Sequence, residues 1–411
     1  MVKLLIVADD LSGALDTGAA FSANNINTLV AVDASIRECM LLNPDVAVLA
    51  VDARTRHLSP PEAYRVVFDI VKEAKALGVE YIYKKTDSAL RGNIGSELQA
   101  ALDASGEKQI HFAPAFPKHK RYTAGGIHYI DGIPVAQSVF GRDPFEPVRH
   151  SSVLDILAAQ TGTQASLSDA GMVNTVTDGI IVYNVRSVQD MQHLAAGLDN
   201  AGKLALLAGC GGLAKAVLEH LPLPRQAAKN CAFVSDKLLL VCGSINPITA
   251  AQLKMAEDAG FARLNLPMAL KFGMADQPLM DAFFEKWKAA YHASGFVIID
   301  TMDLDEPELT LRYARKNGME LSQVREQIGY GLGQITKRIL DDGFCASLMV
   351  TGGDTVLKLL RQLHVQTLIP VCEIAPGTIL SQFTYQDKSY QLLTKSGGFG
   401  DENLLLKLIR Q

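Results

Sequence analysis

Short apolar runs alternate with helix-like segments along most of the chain, and this alternation limits the folds that it can adopt. The runs that we predict as strands lie at residues 4–8, 28–32, 46–51, 81–83, 110–113 and 180–183, and most are rich in Val and Ile. Segments with the apolar spacing of a helix, such as 61–77 and 94–102, lie between several of them. Strands that alternate with helices indicate an α/β fold with a largely parallel sheet flanked by helices.

The stretch 221–230 interrupts this alternation. Its two prolines and its polar residues are typical of a linker. A second series follows, with strands predicted at 237–242, 296–299 and 347–351 and a long helix at 321–341. Because 411 residues exceed the usual size of one domain, we predict two α/β domains, 1–225 and 236–411, with the active site in the cleft between them.

Charge and composition argue against several classes of function. The 39 Lys and Arg residues and 44 Asp and Glu residues give a net charge of −5, which disfavours general binding to nucleic acids or membranes. No apolar run approaches the roughly 20 residues of a membrane span, and the N-terminus lacks a signal-peptide pattern. Since the six cysteines form no CxxC pair and the histidines no HExxH motif, we expect reduced thiols, a cytoplasmic location and no histidine-based metal site. The oligomeric state stays open, with a homodimer as one candidate.

Polar clusters directly follow four predicted strands in the first half. Because ligands of open α/β sheets bind beyond the carboxyl ends of the strands, these clusters are candidate binding residues. Arginine suits a planar carboxylate, and aspartate suits sugar hydroxyls or a proton to be removed, so the pattern predicts a small polyhydroxy acid as ligand. For any single residue, a structural role such as helix capping is about equally plausible. The clusters contain Asp9 and Asp10; Asp52, Arg54 and Arg56; Lys84, Lys85, Thr86, Asp87, Ser88 and Arg91; and Lys118, Lys120 and Arg121.

Three glycine-containing turns follow predicted strands in the second half. They begin at Gly243, Gly352 and Lys395. Glycine lets the backbone approach a ligand closely, and the N-terminus of a following helix favours negative charge. The turns therefore predict a nucleotide phosphate site, with Lys395 as a charge partner. The chain contains neither a P-loop motif nor the motifs of protein kinases.

A competing dinucleotide-binding motif lies at residues 209–214, where a predicted strand runs into G-x-G-x-x-A. It would make the protein an NAD(P)-dependent dehydrogenase. However, the predicted linker follows instead of a βαβ unit with an acidic residue about 20 positions on. A tight turn at the end of the first domain is the favoured interpretation.

Taken in order, these motifs resemble the four-carbon acid sugar kinase family. The resemblance implies a two-domain, ATP- and Mg²⁺-dependent kinase. The N-terminal domain would bind an acid sugar such as threonate, erythronate or a 3-oxo-tetronate, the C-terminal domain would bind ATP, and the phosphoryl group would go to the C4 hydroxyl. The matching stretches are 8–18, 52–56, 84–88, 113–121, 209–214, 241–244, 350–355, 375–377 and 395–400.

The clusters and the resemblance together give a predicted site. Arg54, helped by Lys85, is expected to hold the substrate carboxylate. Asp87 and either Asp9 or Asp10 are expected to bind hydroxyls. Asp9 is the preferred proton acceptor among these three aspartates, and the metal ligands stay open. The predicted substrate-binding residues are Asp9, Asp10, Arg54, Lys85, Thr86, Asp87, Ser88 and Arg91, of which Asp9 and Asp87 are catalytic. The predicted nucleotide-binding residues are Ser244, Gly352, Gly353, Asp354, Thr355, Gly397 and Gly398. Alternatives are a 3-oxo-tetronate 4-kinase, the dehydrogenase above, and a non-catalytic sensor that binds an acid sugar and a nucleotide.

Overall fold

The computed structural model describes residues 1–143, 146–227, 237–303, 308–344, 346–396 and 398–409. The chain divides into two compact units, Met1–Lys229 and Asn230–Gln411, and each is an α/β unit, as predicted. The domain limits at 225 and 236 stay predictions, since residues 228–236 lie outside the described part. Among the described helices, none combines the length and the apolar character needed to cross a membrane.

The first unit is built on a parallel sheet with the strand order β2-β3-β1-β4-β11-β5-β10-β9. A separate antiparallel sheet contains β6, β7 and β8. The strands are β1 (Leu4–Ala8), β2 (Thr28–Ala31), β3 (Val48–Asp52), β4 (Tyr81–Lys85), β5 (Gln109–Ala113), β6 (Arg121–Ala124), β7 (Ile127–Ile130), β8 (Ile133–Pro134), β9 (Ala165–Asp169), β10 (Gly179–Asn184) and β11 (Leu206–Gly209).

Helices of the first unit pack on the parallel sheet through small and branched residues. For example, Val67 and Val71 of the third helix and Leu98 of the fourth are fully buried in the core. The third helix starts as its sequence predicts, with prolines in its first turn and a capping box between Ser59 and Glu62. The helices are α1 (Leu11–Ala23), α2 (Ile36–Leu42), α3 (Pro60–Ala76), α4 (Ile94–Ser105), α5 (Val153–Ala158), α6 (Val188–Asn200) and α7 (Gly211–Val217).

The second unit has the strand order β13-β14-β12-β15-β18-β17-β16. Pairing is parallel from β13 to β18 and antiparallel between β18, β17 and β16. The strands are β12 (Leu238–Cys242), β13 (Ala262–Asn265), β14 (Phe296–Asp300), β15 (Ser347–Thr351), β16 (Thr367–Ala375), β17 (Thr378–Tyr385) and β18 (Lys388–Lys395). The helices are α8 (Pro247–Asp258), α9 (Met268–Lys271), α10 (Gln277–Ser294), α11 (Leu309–Lys316), α12 (Leu321–Asp341), α13 (Gly353–Gln362) and α14 (Leu404–Ile409).

The cysteines only partly follow the expectation of reduced thiols. Cys39, Cys210 and Cys242 are free and buried. Cys372, however, is disulfide-bonded, which corrects the expectation for this residue.

Candidate active site

The strands of the first unit end in register at one edge of the sheet. Ala8 pairs with Asp52 and with Lys85, and Gly209 pairs with Lys85 and with Ala113. The loops after β1, β3, β4, β11 and β5 therefore leave the sheet side by side. This edge, which we call the first carboxyl edge, brings the predicted polar clusters of the first half together.

Asp9 and Asp10 follow β1 and share one guanidinium group. Arg56 Nε donates to Asp9 Oδ2 and Arg56 Nη1 donates to Asp10 Oδ2, both at 2.7 Å. Asp10 also caps α1, because its Oδ1 accepts from the Gly13 amide at 2.8 Å. Burial by itself would raise the pKa of Asp9, but the charges of Arg56 and of the two lysines of β4 lower it. Asp9 is therefore buried and ionised at neutral pH.

Arg54 and Arg56 lie in the same loop but have different partners. The prediction names Arg54, whereas the structure brings Arg56 to the two aspartates. Arg54 Nη1 pairs with Asp33 Oδ1 at 2.9 Å, and both side chains are half-exposed. The backbone of Arg54 has a φ of 55°, which is uncommon for a residue other than glycine, and such conformations cluster at functional sites.

Asp52 supports the turn at Arg54, since its Oδ1 accepts from the Arg54 amide at 3.1 Å. Its Oδ2 is buried and has no hydrogen-bond partner among the described residues. Burial, together with the charges of Asp10 and Asp9, raises the pKa of Asp52 to about 7. Asp52 is a titratable group of this edge that is absent from the predicted site.

The loop after β4 contains Asp87, and both of its carboxylate oxygens accept hydrogen bonds from Arg91. Arg91 Nε donates to Oδ2 at 2.7 Å and Nη2 donates to Oδ1 at 3.3 Å. Burial by itself would raise the pKa of Asp87, but Arg91, Arg56 and Arg121 hold it well below its usual range. Both carboxylates predicted as catalytic, Asp9 and Asp87, are thus ionised.

Ser88 is held by the hairpin of β6 and β7. Arg121 Nη1 donates to Ser88 Oγ, and His128 Nε2 lies 2.9 Å from the Ser88 carbonyl oxygen. His128 Nδ1 lies 3.0 Å from Thr123 Oγ1, and burial lowers the pKa of His128 to about 4, so its ring is neutral. Arg121 and His128 are not in the predicted site set, although Arg121 belongs to the polar cluster that follows β5.

The two lysines of β4 point to different surroundings, because successive strand residues face opposite sides of a sheet. Lys84 Nζ pairs with Glu97 Oε2 at 2.6 Å, and both side chains are fully buried. Lys85 Nζ donates to the Thr86 carbonyl at 2.9 Å, and no carboxylate pairs with it in the part of the chain that is described. Within the same part, Asp9 Oδ1 and Thr86 Oγ1 are buried without a hydrogen-bond partner.

The second unit has a comparable edge. Asp300, Cys242, Thr351 and Lys395 lie side by side at the ends of β14, β12, β15 and β18. We call this edge the second carboxyl edge, and it brings together the turns that begin at Gly243, Gly352 and Lys395.

Glycine is required in two of these turns. A Cβ atom on Gly243 would lie 2.1 Å from Thr355 Oγ1, so no larger residue fits without displacing the threonine. Gly352 has a φ of 100°, directly before α13, where a side chain would strain the backbone. Packing against Thr355 therefore explains Gly243, whereas the backbone at Gly352 is open to close approach by a ligand. The N-terminus of α13 directly after Gly352 favours an anion.

Lys395 is the buried cation of the second carboxyl edge. Its Nζ lies 3.3 Å from Thr249 Oγ1 and 3.1 Å from the Ser396 carbonyl. Burial lowers the pKa of Lys395 to about 8. Because burial favours the neutral amine, a phosphate beside Lys395 would stabilise the charged form.

The other predicted nucleotide-binding residues lie around these turns. The Asn246 amide donates to Ser244 Oγ at 3.2 Å, and a Cβ atom on Gly398 would lie 3.7 Å from Asn246 Nδ2. Asp354, in the first turn of α13, is engaged by Arg325 at 2.8 Å. Gly397 lies outside the described residues.

The glycines at 209–214 have a packing explanation. Cβ atoms on Gly209 and Gly212 would lie 2.4 and 2.5 Å from the carbonyl oxygens of Ala113 and Ala115, respectively. This crowding between the loops after β11 and β5 accounts for the motif without a dinucleotide.

Among the described residues, no three His, Cys, Asp or Glu side chains are grouped so that they could hold a metal ion. Mg²⁺ in kinases is commonly held by one or two carboxylates plus substrate phosphates, which needs no such cluster.

Comparison with known proteins identifies the family. A family model described as a sugar-binding N-terminal domain matches residues 4–217, and one described as a nucleotide-binding C-terminal domain matches residues 239–405. A solved structure from Salmonella typhimurium LT2 has the same fold, with a TM-score of 0.77 at 18% identity, over 99% of this chain and 98% of that one.

Relatives of known name cover the whole length as well. A D-threonate kinase of Bordetella bronchiseptica is 31% identical over 98% of this chain and 95% of its own length. A D-erythronate kinase of Heliobacterium modesticaldum is 26% identical over 98% and 95%, and a 3-oxo-tetronate kinase of Brucella melitensis is 23% identical over 98% and 94%. The chain belongs to the four-carbon acid sugar kinase family and is a small-molecule kinase.

Proposed function

We propose that the protein transfers the γ-phosphoryl group of ATP to the C4 hydroxyl of a four-carbon sugar acid of the D-threonate or D-erythronate type. The observation that carries this proposal is the first carboxyl edge, where ionised, buried carboxylates lie beside Lys85, a cation with no carboxylate partner among the described residues. Such a mixture suits a ligand with one carboxylate and several hydroxyls. The identity to a D-threonate kinase supports this choice of substrate.

Asp9 is our candidate for the proton acceptor. Arg56 binds its Oδ2 at 2.7 Å, whereas its buried Oδ1 has no partner among the described residues. An ionised, oriented oxygen of this kind can accept a hydrogen bond from the C4 hydroxyl and then its proton. Asp10 would orient Arg56, and Asp87 would bind a further hydroxyl.

The positive groups of the first carboxyl edge would bind the acid end of the substrate. Lys85 offers an ammonium group that no carboxylate neutralises within the described residues. Arg54 is half-exposed and would add the substrate carboxylate to its pair with Asp33. Thr86 Oγ1 and Ser88 Oγ supply hydroxyl partners beside them.

The second carboxyl edge fits a nucleotide phosphate. The N-terminus of α13, which follows Gly352, and the Lys395 ammonium offer backbone amides and one cation to an anion. Ser244, Gly353, Thr355 and Gly398 lie along the same turns. Bound ATP would supply the phosphoryl group, and Mg²⁺ would neutralise its charge during transfer.

A panel of sugar acids tests the proposal. We expect ADP release with Mg-ATP and D-threonate or D-erythronate, and phosphate on C4 of the product by NMR. The panel includes 3-oxo-tetronates, because turnover of those alone would favour the 3-oxo-tetronate 4-kinase. ATP binding without turnover of any sugar acid would refute the kinase assignment. Thermal stabilisation by NAD(P) instead of Mg-ATP would favour the dehydrogenase. The cytoplasmic location and the homodimer stay predictions.

A further inference from the structure

The cations of the first carboxyl edge differ in how completely their charge is neutralised. Arg56 pairs with Asp9 and Asp10, and Arg91 pairs with Asp87 and Asp143. Arg121 instead donates to the neutral hydroxyl of Ser88, and no carboxylate lies within ion-pair distance of it among the described residues. Arg121 is thus a guanidinium group of this edge whose charge lacks a carboxylate partner.

Arg121 is also held firmly in place. Its Cζ atom lies 5.3 Å from the centroid of the Phe140 ring, and Arg91 Cζ lies 5.1 Å from the same centroid. Both distances are within the roughly 6 Å range of cation–π attraction. Because one ring contacts both guanidinium groups, Phe140 keeps two like charges close together.

The backbone around Arg121 adds to this order. Arg121 begins β6, which pairs with β7, and His128 of β7 bonds to Thr123 and to the Ser88 carbonyl. The hairpin is therefore tied to the loop that contains Asp87 and Ser88. A fixed cation that lacks a carboxylate partner is stabilised when an anion binds beside it, because the anion offsets its charge.

We propose that Arg121 is a substrate-binding residue that pairs with the carboxylate of the sugar acid, and that Phe140 positions its guanidinium group. A guanidinium presents two parallel N–H donors to a carboxylate, whereas Lys85 offers a point charge. The influence of Arg121 on the pKa of Asp87 puts its charge close to the proposed hydroxyl-binding group. This inference rests on the proposed function and adds a residue to it.

The test compares steady-state kinetics of the wild type with Arg121→Gln, Arg121→Lys and Phe140→Leu. The carboxylate is at the opposite end of the substrate from C4, so its loss weakens binding more than chemistry. For Arg121→Gln we expect KM for the sugar acid to rise about 100-fold while kcat changes by less than about fivefold. Arg121→Lys restores part of the affinity, and Phe140→Leu raises KM about fivefold.

A neutral analogue separates charge recognition from a structural role. The tetritol of matching configuration lacks the carboxylate, and its inhibition constant is expected to be the same for the wild type and Arg121→Gln. Arg65→Gln, on the exposed side of α3, is the matched control and leaves KM and kcat unchanged. Because the proposed ATP site lies in the second unit, folding of each variant is checked by circular dichroism and by cooperative thermal unfolding.

The outcomes distinguish an error in the proposed function from an error in the role of Arg121. If the wild type phosphorylates no sugar acid, the proposed function is wrong. If it does, but Arg121→Gln leaves KM unchanged or lowers kcat alone, Arg121 does not bind the carboxylate. An equal loss of affinity for the sugar acid and the tetritol likewise overturns the inference. If Arg121→Gln does not fold, Arg121→Lys and Phe140→Leu test the inference instead. An unchanged KM for the sugar acid in both variants would reject a role of Arg121 in carboxylate binding.

Discussion

The two carboxyl edges are built at the same place in two similar sheets, but they use different chemistry. The first presents charged side chains, such as Asp9, Lys85 and Asp87, that are less than 10% exposed. The second presents glycines, hydroxyls and the buried Lys395, and its buried aspartate, Asp300, is paired with Arg263 at 2.9 Å. Side chains can distinguish carboxylate from hydroxyl at each position, whereas backbone amides bind any phosphate that comes close. The contrast supports our proposal that the first edge selects among sugar acids and that the second binds a nucleotide.

The edges should also respond differently to mutation. Buried charges are stable only as a set, because removing one leaves its partner uncompensated. A glycine turn tolerates changes in neighbouring side chains but not an added Cβ atom. Substitutions at the two edges therefore test whether acid-sugar binding and nucleotide binding are separate.

Asp9→Asn should have the largest effect. The amide cannot accept a proton, so we expect kcat to fall about 1,000-fold while the affinity for Mg-ATP stays the same. Coupled ADP release and calorimetry measure the two quantities. The exposed Asp69→Asn on α3 is the control and retains full activity. Loss of ATP binding in Asp9→Asn would show that the roles of the two edges are assigned wrongly.

Gly352→Ala should weaken the binding of the nucleotide but not that of the sugar acid. Its Cβ atom has space, since the nearest atom is 3.4 Å away, but a φ of 100° costs alanine about 1–3 kcal/mol. We expect relaxation of this turn to weaken ATP binding about 30-fold, with sugar-acid affinity unchanged. Gly260 is a matched control, with a φ of 99° and no atom within 4 Å of its Cβ position. Gly260→Ala should lower thermal stability similarly and leave ATP affinity intact; equal ATP affinity in both variants would contradict a phosphate site at Gly352.

The fold was predictable because many of its strands are short runs of mainly apolar residues. The runs at 4–8 and 347–351 coincide with β1 and β15, and other predicted strands shift by a few residues. The antiparallel strands β16 and β17 were not predicted, because exposed or half-buried residues interrupt the buried ones along each strand. The small sheet of β6 to β8 was also missed, because its strands have only two to four residues.

The position of the candidate site at the first carboxyl edge was predictable, but the ion pairs between its side chains were not. Polar residues after parallel strands must meet at one edge, which explains why Asp9, Lys85 and Asp87 converge. Arg56 instead of Arg54 reaches Asp9, in a loop where Arg54 has a positive φ, and no pattern in the sequence signals a non-glycine residue in that conformation. Arg121 joins the edge through a hairpin that the apolar pattern does not reveal.

Lys395 gives the second carboxyl edge a pH dependence that arginine would lack. Its pKa of about 8 in the free protein means that the ammonium loses its proton as pH rises through 8. ATP affinity should therefore fall by up to about tenfold between pH 7 and pH 9. In Lys395→Arg the affinity should stay constant over this range, because arginine keeps its charge. Calorimetric titrations at both pH values measure the difference, and a parallel fall in the variant would exclude Lys395 as the cause.

The substitution Asp52→Asn should have the smallest effect, and it should change stability, not activity. Its folded-state pKa of about 7 lies above the ordinary value of 3.8, so folding takes up a proton between these pH values. Stability contributed by protonated Asp52 is complete below pH 4 and is lost as pH rises through 7. Asp52→Asn keeps the acceptor for the Arg54 amide and carries no charge, so at pH 8 it should be more stable than the wild type by about 2 kcal/mol, or about 5 °C in Tm. Near pH 4 the advantage should vanish. The exposed Asp45→Asn provides the control for thermal unfolding at both pH values, and an advantage of Asp52→Asn that does not change with pH would show that Asp52 is ionised throughout.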